Sequence, residues 1–171
     1  MPSSSEKLVF FRGSRGRKLL GMLFQPQGHA LKIGIVYCHP FAEEQNMSHT
    51  IAVKACRAFA EMGFPVLRFD MSGCGDSEGE LSETDVSSWQ DDLRAATDLL
   101  LHETGVTGIG IFGVRLGGSL ALLYESVHGP VSFLILWEPV LDFGLYIKQF
   151  LRRMISTQIA DNARDLTTVK A

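Results

Sequence analysis

Apolar positions recur along the chain in two rhythms. Short runs of strand character, at Leu8–Phe11, Leu19–Phe24, Lys32–Tyr37, Pro65–Phe69, Gly108–Phe112 and Val131–Trp137, alternate with longer stretches whose apolar residues return every three or four positions. The first two runs flank Gly13 and Gly16 and predict an opening hairpin within residues 1–25. Ser48 precedes a helical spacing in Ile51, Val53, Ala55, Phe59 and Met62 that stops at Gly63. Ser87 and Ser88 open a second helix carrying Trp89, Leu93, Ala96 and Leu100 and ending near Gly105, and Leu116–Val127 reads as a third. A fourth, amphipathic pattern fills Phe143–Asn162 with Leu145, Ile147, Phe150, Leu151, Met154, Ile155 and Ile159. The order predicts an α/β fold: one domain over 1–171, with a doubly wound, mostly parallel sheet in 31–140 and a helical segment in 141–171. Ligands of such sheets bind at the carboxyl ends of the strands, so the loops after Tyr37, Phe69, Phe112 and Trp137 are where chemistry is expected.

Composition narrows the picture. With 171 residues, 46% apolar and 20% charged, the chain reads as a soluble globular domain, and the absence of a heptad or triplet period excludes coiled-coil and collagen-like structures. A net charge of -3 gives no overall attraction for phosphate, so nucleic acid is not expected as a partner; the short basic stretch Arg12–Lys18 reads as a solvated hairpin turn. Cys38, Cys56 and Cys74 are odd in number and lack metal spacing, so neither a disulfide framework nor a metal is expected. The N-terminus lacks a secretion-signal pattern and Val131–Trp137 is too short to span a bilayer, so the expected location is cytoplasmic with no membrane span.

Gly108, Gly110 and Gly113 spell a literal dinucleotide fingerprint, but they lie within the strand rather than after it, and no cofactor is expected. What straddles the strand-to-helix junction is Gly113-Val-Arg115-Leu-Gly117, the frame of a G-x-S-x-G nucleophile elbow with arginine in place of serine. The chain here resembles the α/β-hydrolase superfamily over nearly its whole length. His39-Pro40-Phe41 is similar to its oxyanion loop, and Arg68–Gly79 to its R-x-D-x-x-G-x-G-x-S-x-G loop. More narrowly, FRGSRGR, HPFAEEQNMS, GCGDS, WQDDL, GVRLG and LWEPV resemble the exosortase A system-associated hydrolase, type 2, of bacteria that make exopolysaccharide, in which arginine in the elbow is a family trait.

The resemblance implies a serine hydrolase, yet the residues depart from it. Arg115 is protonated and not nucleophilic at neutral pH. The superfamily draws its acid and histidine from later strands, and the chain stops roughly where a cap would begin, so the sheet is expected to be truncated after the sixth strand. Backbone N–H groups of Phe41 and Leu116 are the expected oxyanion donors, because they do not depend on side-chain identity. His39 is expected to orient its loop, and Asp70, Asp76 and Ser77 to hold theirs through side-chain-to-backbone hydrogen bonds. Glu138 stands where some α/β hydrolases place the acid, or pairs with Arg115; Glu43 and Glu44 are further candidate partners. Ser119, one turn into the helix, is expected to face packing, Cys74 to be a satisfied or solvated thiol, and His29, His49, His102 and His128 to be exposed.

Three readings follow: a non-catalytic protein binding a small acyl or sugar-linked ligand or a partner protein, an esterase or thioesterase with a non-standard nucleophile, or the N-terminal part of a longer hydrolase. The uncharged run Val131–Trp137 is expected to leave an open sheet edge through which the chain pairs with a second copy.

Overall fold

The computed structural model describes the backbone of residues 4–168 and the side chains of residues 4–157. Six strands form one sheet: β1 (Ser5–Arg12), β2 (Lys18–Gln25), β3 (Ile33–Cys38), β4 (Val66–Phe69), β5 (Gly108–Val114) and β6 (Phe133–Trp137). Their spatial order is β1-β2-β4-β3-β5-β6. The pairs β1/β2 and β2/β4 are antiparallel, and the rest are parallel. Helices α1 (Glu43–Glu61), α2 (Val86–Thr104) and α3 (Leu116–His128) cross over between the parallel strands.

The strand sequences explain this layering. β3 is apolar at every position but Gly34, because both its faces are covered. Ile35 and Tyr37 meet Ala52, Cys56 and Ala60 of α1, four residues apart along one helix face. Val36 and Cys38 join Leu67, Phe69 and Ile111 against Trp89, Leu93, Ala96 and Leu100 of α2 and Leu116, Leu120 and Ala121 of α3. The result is one helix layer, a sheet and a second helix layer.

Two helix starts differ from the sequence reading. α1 begins at Glu43 rather than after Ser48, whose hydroxyl donates back to Glu44 O (2.7 Å) inside the helix; Glu43 and Glu44 instead place negative charge in the first turn, where the helix dipole favours it. α2 is capped by Asp85, whose carboxylate accepts from Ser88 N–H (2.7 Å) while Ser88 Oγ accepts from Asp85 N–H (2.8 Å). Ser88 is therefore the third residue of a reciprocal capping box, not the cap. Gly105, at φ +64°, ends the helix in the left-handed conformation.

The basic turn between β1 and β2 is not simply solvated. Arg17 is mostly buried and donates through Nη2 to Glu83 (2.9 Å), and the Lys18 N–H donates to the Glu78 carboxylate (2.7 Å). The hairpin thereby clasps the acidic stretch that follows β4.

The chain divides into two compact units, Met1–Pro139 and Val140–Ala171. The second is built on α4 (Phe143–Thr168), longer than the expected Phe143–Asn162 and started by Asp142, whose side chain accepts from Leu145 N–H (2.8 Å). Among the described residues no helix is long and apolar enough to cross a membrane.

Candidate functional site

The candidate site lies where the carboxyl ends of β3, β4, β5 and β6 meet in the first unit. Its centre is Arg115, between β5 and α3, with φ 54° and ψ -118°. A non-glycine residue held there costs on the order of 1–3 kcal/mol and survives only where its surroundings over-determine it. They do so here. The Arg115 N–H donates to Trp137 O (2.9 Å), extending the β5/β6 ladder onto the turn, and Arg115 O accepts from Gly118 N–H (3.0 Å). A Cβ on Gly113 would stand 2.5 Å from Gly117 O, and one on Gly117 would run into Cys38 O and His39 O. Gly113 is thus required for the first turn of α3 to lie against β5, and Gly117 for it to lie against the end of β3, which sets the backbone of Leu116 beside the loop carrying His39, Pro40 and Phe41.

The Arg115 side chain is one-third exposed, and its guanidinium faces two carboxylates. Nε lies 3.5 Å from Glu44 Oε2, Nη1 lies 3.9 Å from Glu138 Oε2, and Nη1 also donates to Glu138 O (3.4 Å). Glu43, the third candidate, is exposed at the start of α1. Glu138 itself has φ 48° and a largely exposed side chain.

His39 is buried, with both ring nitrogens engaged. Nε2 accepts from Met71 N–H (3.1 Å), which leaves the proton on Nδ1, where it donates to Pro40 O (2.6 Å). Burial pushes its pKa below the usual histidine value. A neutral imidazole whose one lone pair is already taken cannot serve as a general base; it locks the loop after β3 to the loop after β4. Phe41 leans on Trp89, with ring centroids 5.8 Å apart.

The loop after β4 is held from several sides. Asp70 accepts from Gln45 Nε2 (3.0 Å) and from Asp76 N–H (3.2 Å), and Arg68 lies 3.6 Å away. Ser77 Oγ donates to Asp70 O (2.5 Å) and accepts from Leu20 N–H (3.0 Å). Asp76 therefore joins through its backbone N–H, with its side chain exposed, where a side-chain role was expected. Cys74 is half-buried, and burial, reinforced by Asp70 and Asp92, pushes its thiol up to about 11, away from reactive thiolate. Ser119 is half-buried in α3. His29, His49, His102 and His128 are all exposed. Among the described residues no three His, Cys, Asp or Glu side chains gather as a metal cluster.

One residue escaped the sequence reading. Asp92 of α2 is fully buried, and its carboxylate accepts from Ser14 N–H (2.7 Å) and Ser72 N–H (2.8 Å), tying the hairpin turn to the loop after β4. Trp89 Nε1 donates to Ser72 O (3.2 Å) beside it. The signal was available: position 92 falls on the same helical stripe as Trp89, Leu93 and Ala96, and a carboxylate on such a stripe needs donors.

The family model described as "Serine aminopeptidase, S33" matches residues 31–166. The mitochondrial palmitoyl-protein thioesterase ABHD10 of Bos taurus is 30% identical over 126 residues, covering 73% of this chain and 39% of that protein. An alpha-beta serine hydrolase homologue from Coxiella burnetii superposes with a TM-score of 0.70 at 21% identity, covering 81% of this chain and 65% of that one. A Xanthomonas campestris serine hydrolase without lid gives 0.66 at 24%, covering 77% and 60%. The chain spans 32% to 39% of the length of the ABHD10 relatives it matches. With the mixed sheet, the strand-end site and this match, the chain belongs to the serine aminopeptidase S33 family within the α/β-hydrolase superfamily.

Proposed function

We propose that this chain is an α/β hydrolase without serine-hydrolase turnover, which uses its strand-end site to hold a small acyl or sugar-linked ligand rather than cleave it. The observation that carries the reading is Arg115, set at φ 54° in the elbow with its guanidinium between Glu44 and Glu138. A cation there cannot attack a carbonyl, Glu138 is engaged by it, and His39 has no lone pair to offer. Backbone N–H groups of Phe41 and Leu116 are the donors proposed for the ligand's carbonyl. In keeping with the motifs shared with the exosortase-associated type, the proposed setting is the cytoplasm of an exopolysaccharide-producing bacterium.

Purified protein is expected to turn over short-chain p-nitrophenyl esters no faster than buffer and to remain unlabelled by a fluorophosphonate. Arg115→Ser rebuilds the G-x-S-x-G frame without a base, so at most weak turnover is expected. Labelling that vanishes in Ser119→Ala or Ser77→Ala would identify that serine as a nucleophile and overturn the reading.

The proposed protein partner is a second copy. Among the described residues β6 ends the strand order, pairs only with β5, and carries no charge, proline or glycine. Antiparallel pairing about Ile135 would set Phe133 against the second copy's Trp137. Light scattering after size exclusion is expected to give a dimer at micromolar concentration; a monodisperse monomer defeats this.

A further inference from the structure

A groove of about 470 Å³ lies apart from the elbow, between α1 and the β1/β2/β4 side of the sheet. Strand register places Leu8, Met22, Arg68, Tyr37, Phe112 and Ile135 in one row across the face that α1 covers. Arg68 is the single charge in that row. Its side chain is only 16% exposed, and the groove opens over it. Of its five N–H donors, Nη2 donates to His49 Nδ1 (3.1 Å); Asp70 Oδ1 stands at 3.6 Å, with the Asp70 oxygens already serving Gln45 and Asp76. The apolar part of the wall is Leu8, Leu20, Met22, Phe24 and Val53, and Gln45, Asn46 and His49 line the groove beside them. Leu8 is 53% exposed, more than a side chain on a covered sheet face would be.

The charges facing the groove select the ligand. Arg57 is closed against Glu6 by two hydrogen bonds (2.6 and 3.2 Å), and Arg68 has Asp70, which leaves Asp76 as a surplus carboxylate. A free anion would meet that surplus negative charge, and a cation would meet the guanidinium. An uncharged acceptor meets neither penalty and takes the spare donors of Arg68. We propose that this groove binds an uncharged amphiphile, its aliphatic chain lying along Leu8, Leu20, Met22 and Val53 and its amide, ester or hydroxyl head accepting from Arg68. The volume falls in the range of small-ligand pockets. The proposal does not depend on the reading of the elbow.

The test is an NMR titration of the full chain with octanamide, octanoate and octylammonium, which share a chain and differ in head charge. Octanamide is expected to bind saturably with a Kd on the order of 1 mM, shifting amides of β1, β2 and α1. The two charged analogues are expected to bind at least about fivefold more weakly. Arg68→Met is expected to abolish saturable binding. Because that change also removes the pair with Asp70, the half-exposed Leu8→Gln serves as a second variant, expected to stay folded and to lose binding as well. Absence of saturable binding, tighter binding of octanoate than of octanamide, binding retained in folded Leu8→Gln, or shifts confined to Gly113–Gly118 would each overturn the proposal. Shifts confined to that elbow would at the same time support the elbow as the ligand site.

Discussion

Replacing Asp92 by asparagine tests whether one buried carboxylate joins the hairpin to the site loop. The native carboxylate accepts from Ser14 N–H and Ser72 N–H, one on each oxygen. Asparagine keeps one oxygen and turns an NH2 group toward the other donor, so one charge-assisted bond becomes a neutral one and the second becomes a donor facing a donor. A hydrogen bond to a charged group is worth about 1.5–3 kcal/mol, and a buried unsatisfied N–H costs about 1–3 kcal/mol. The expected loss is therefore about 2–4 kcal/mol. With a urea dependence of about 2 kcal/mol per molar, the unfolding midpoint should fall by about 1–2 M with little change in slope. Amide exchange should quicken at Ser14 and Ser72 together. A midpoint shift below about 0.3 M, the range of an ordinary surface change, would refute the argument.

Other outcomes follow from the same geometry. His39 is buried and its folded-state pKa lies below its ordinary 6.5; as pH drops through that value the unfolded chain takes up a proton that the folded chain refuses. The His39 contribution to stability should therefore be level above about pH 6.5 and fall below it by up to about 1.4 kcal/mol per pH unit. Urea midpoints at pH 7.5 and 5.5 should differ in the native chain and converge in His39→Gln, and a flat native profile would contradict the burial argument. Gly117→Ala drives a Cβ into Cys38 O and His39 O, backbone atoms that cannot step aside, and should cost about 3 kcal/mol or more. Gly105→Ala, with open space and only its φ of +64° against it, should cost about 1 kcal/mol; thermal melts showing the reverse order would sink the steric reading of the elbow.

The parallel core was legible because strands such as β3 are apolar on both faces and end at residues of distinct chemistry, His39 and Arg115. The Gly113–Gly117 frame marked the elbow because only glycine tolerates the approach of the first turn of α3 to the ends of β5 and β3. The start of α1 was not legible: Ser48 looks like a cap, but a serine within a helix can return its hydroxyl to the carbonyl four residues back, and Glu44 supplies one. Arg17 was misplaced in the solvent because its partner, Glu83, lies 66 residues away and no local pattern joins them. Arg68 reads in sequence both as part of the strand run Pro65–Phe69 and as the first residue of a loop motif. Its place on a covered sheet face appears only once β2 and β4 are in register.

The links made by Asp92 have a kinetic consequence. They span 78 residues to Ser14 and 20 to Ser72, so the carboxylate meets both donors only after β1 and β2, β4 and α2 have been brought together. Each link closes a loop whose entropy cost is met before the contact rewards it, which places the assembly of the site loop late in folding. Once formed, the loop is not a local flap. Freeing Met71 and Ser72 means releasing His39, Trp89 and the hairpin turn together, so the strand-end site should open with the sheet edge as a cooperative unit rather than breathe independently.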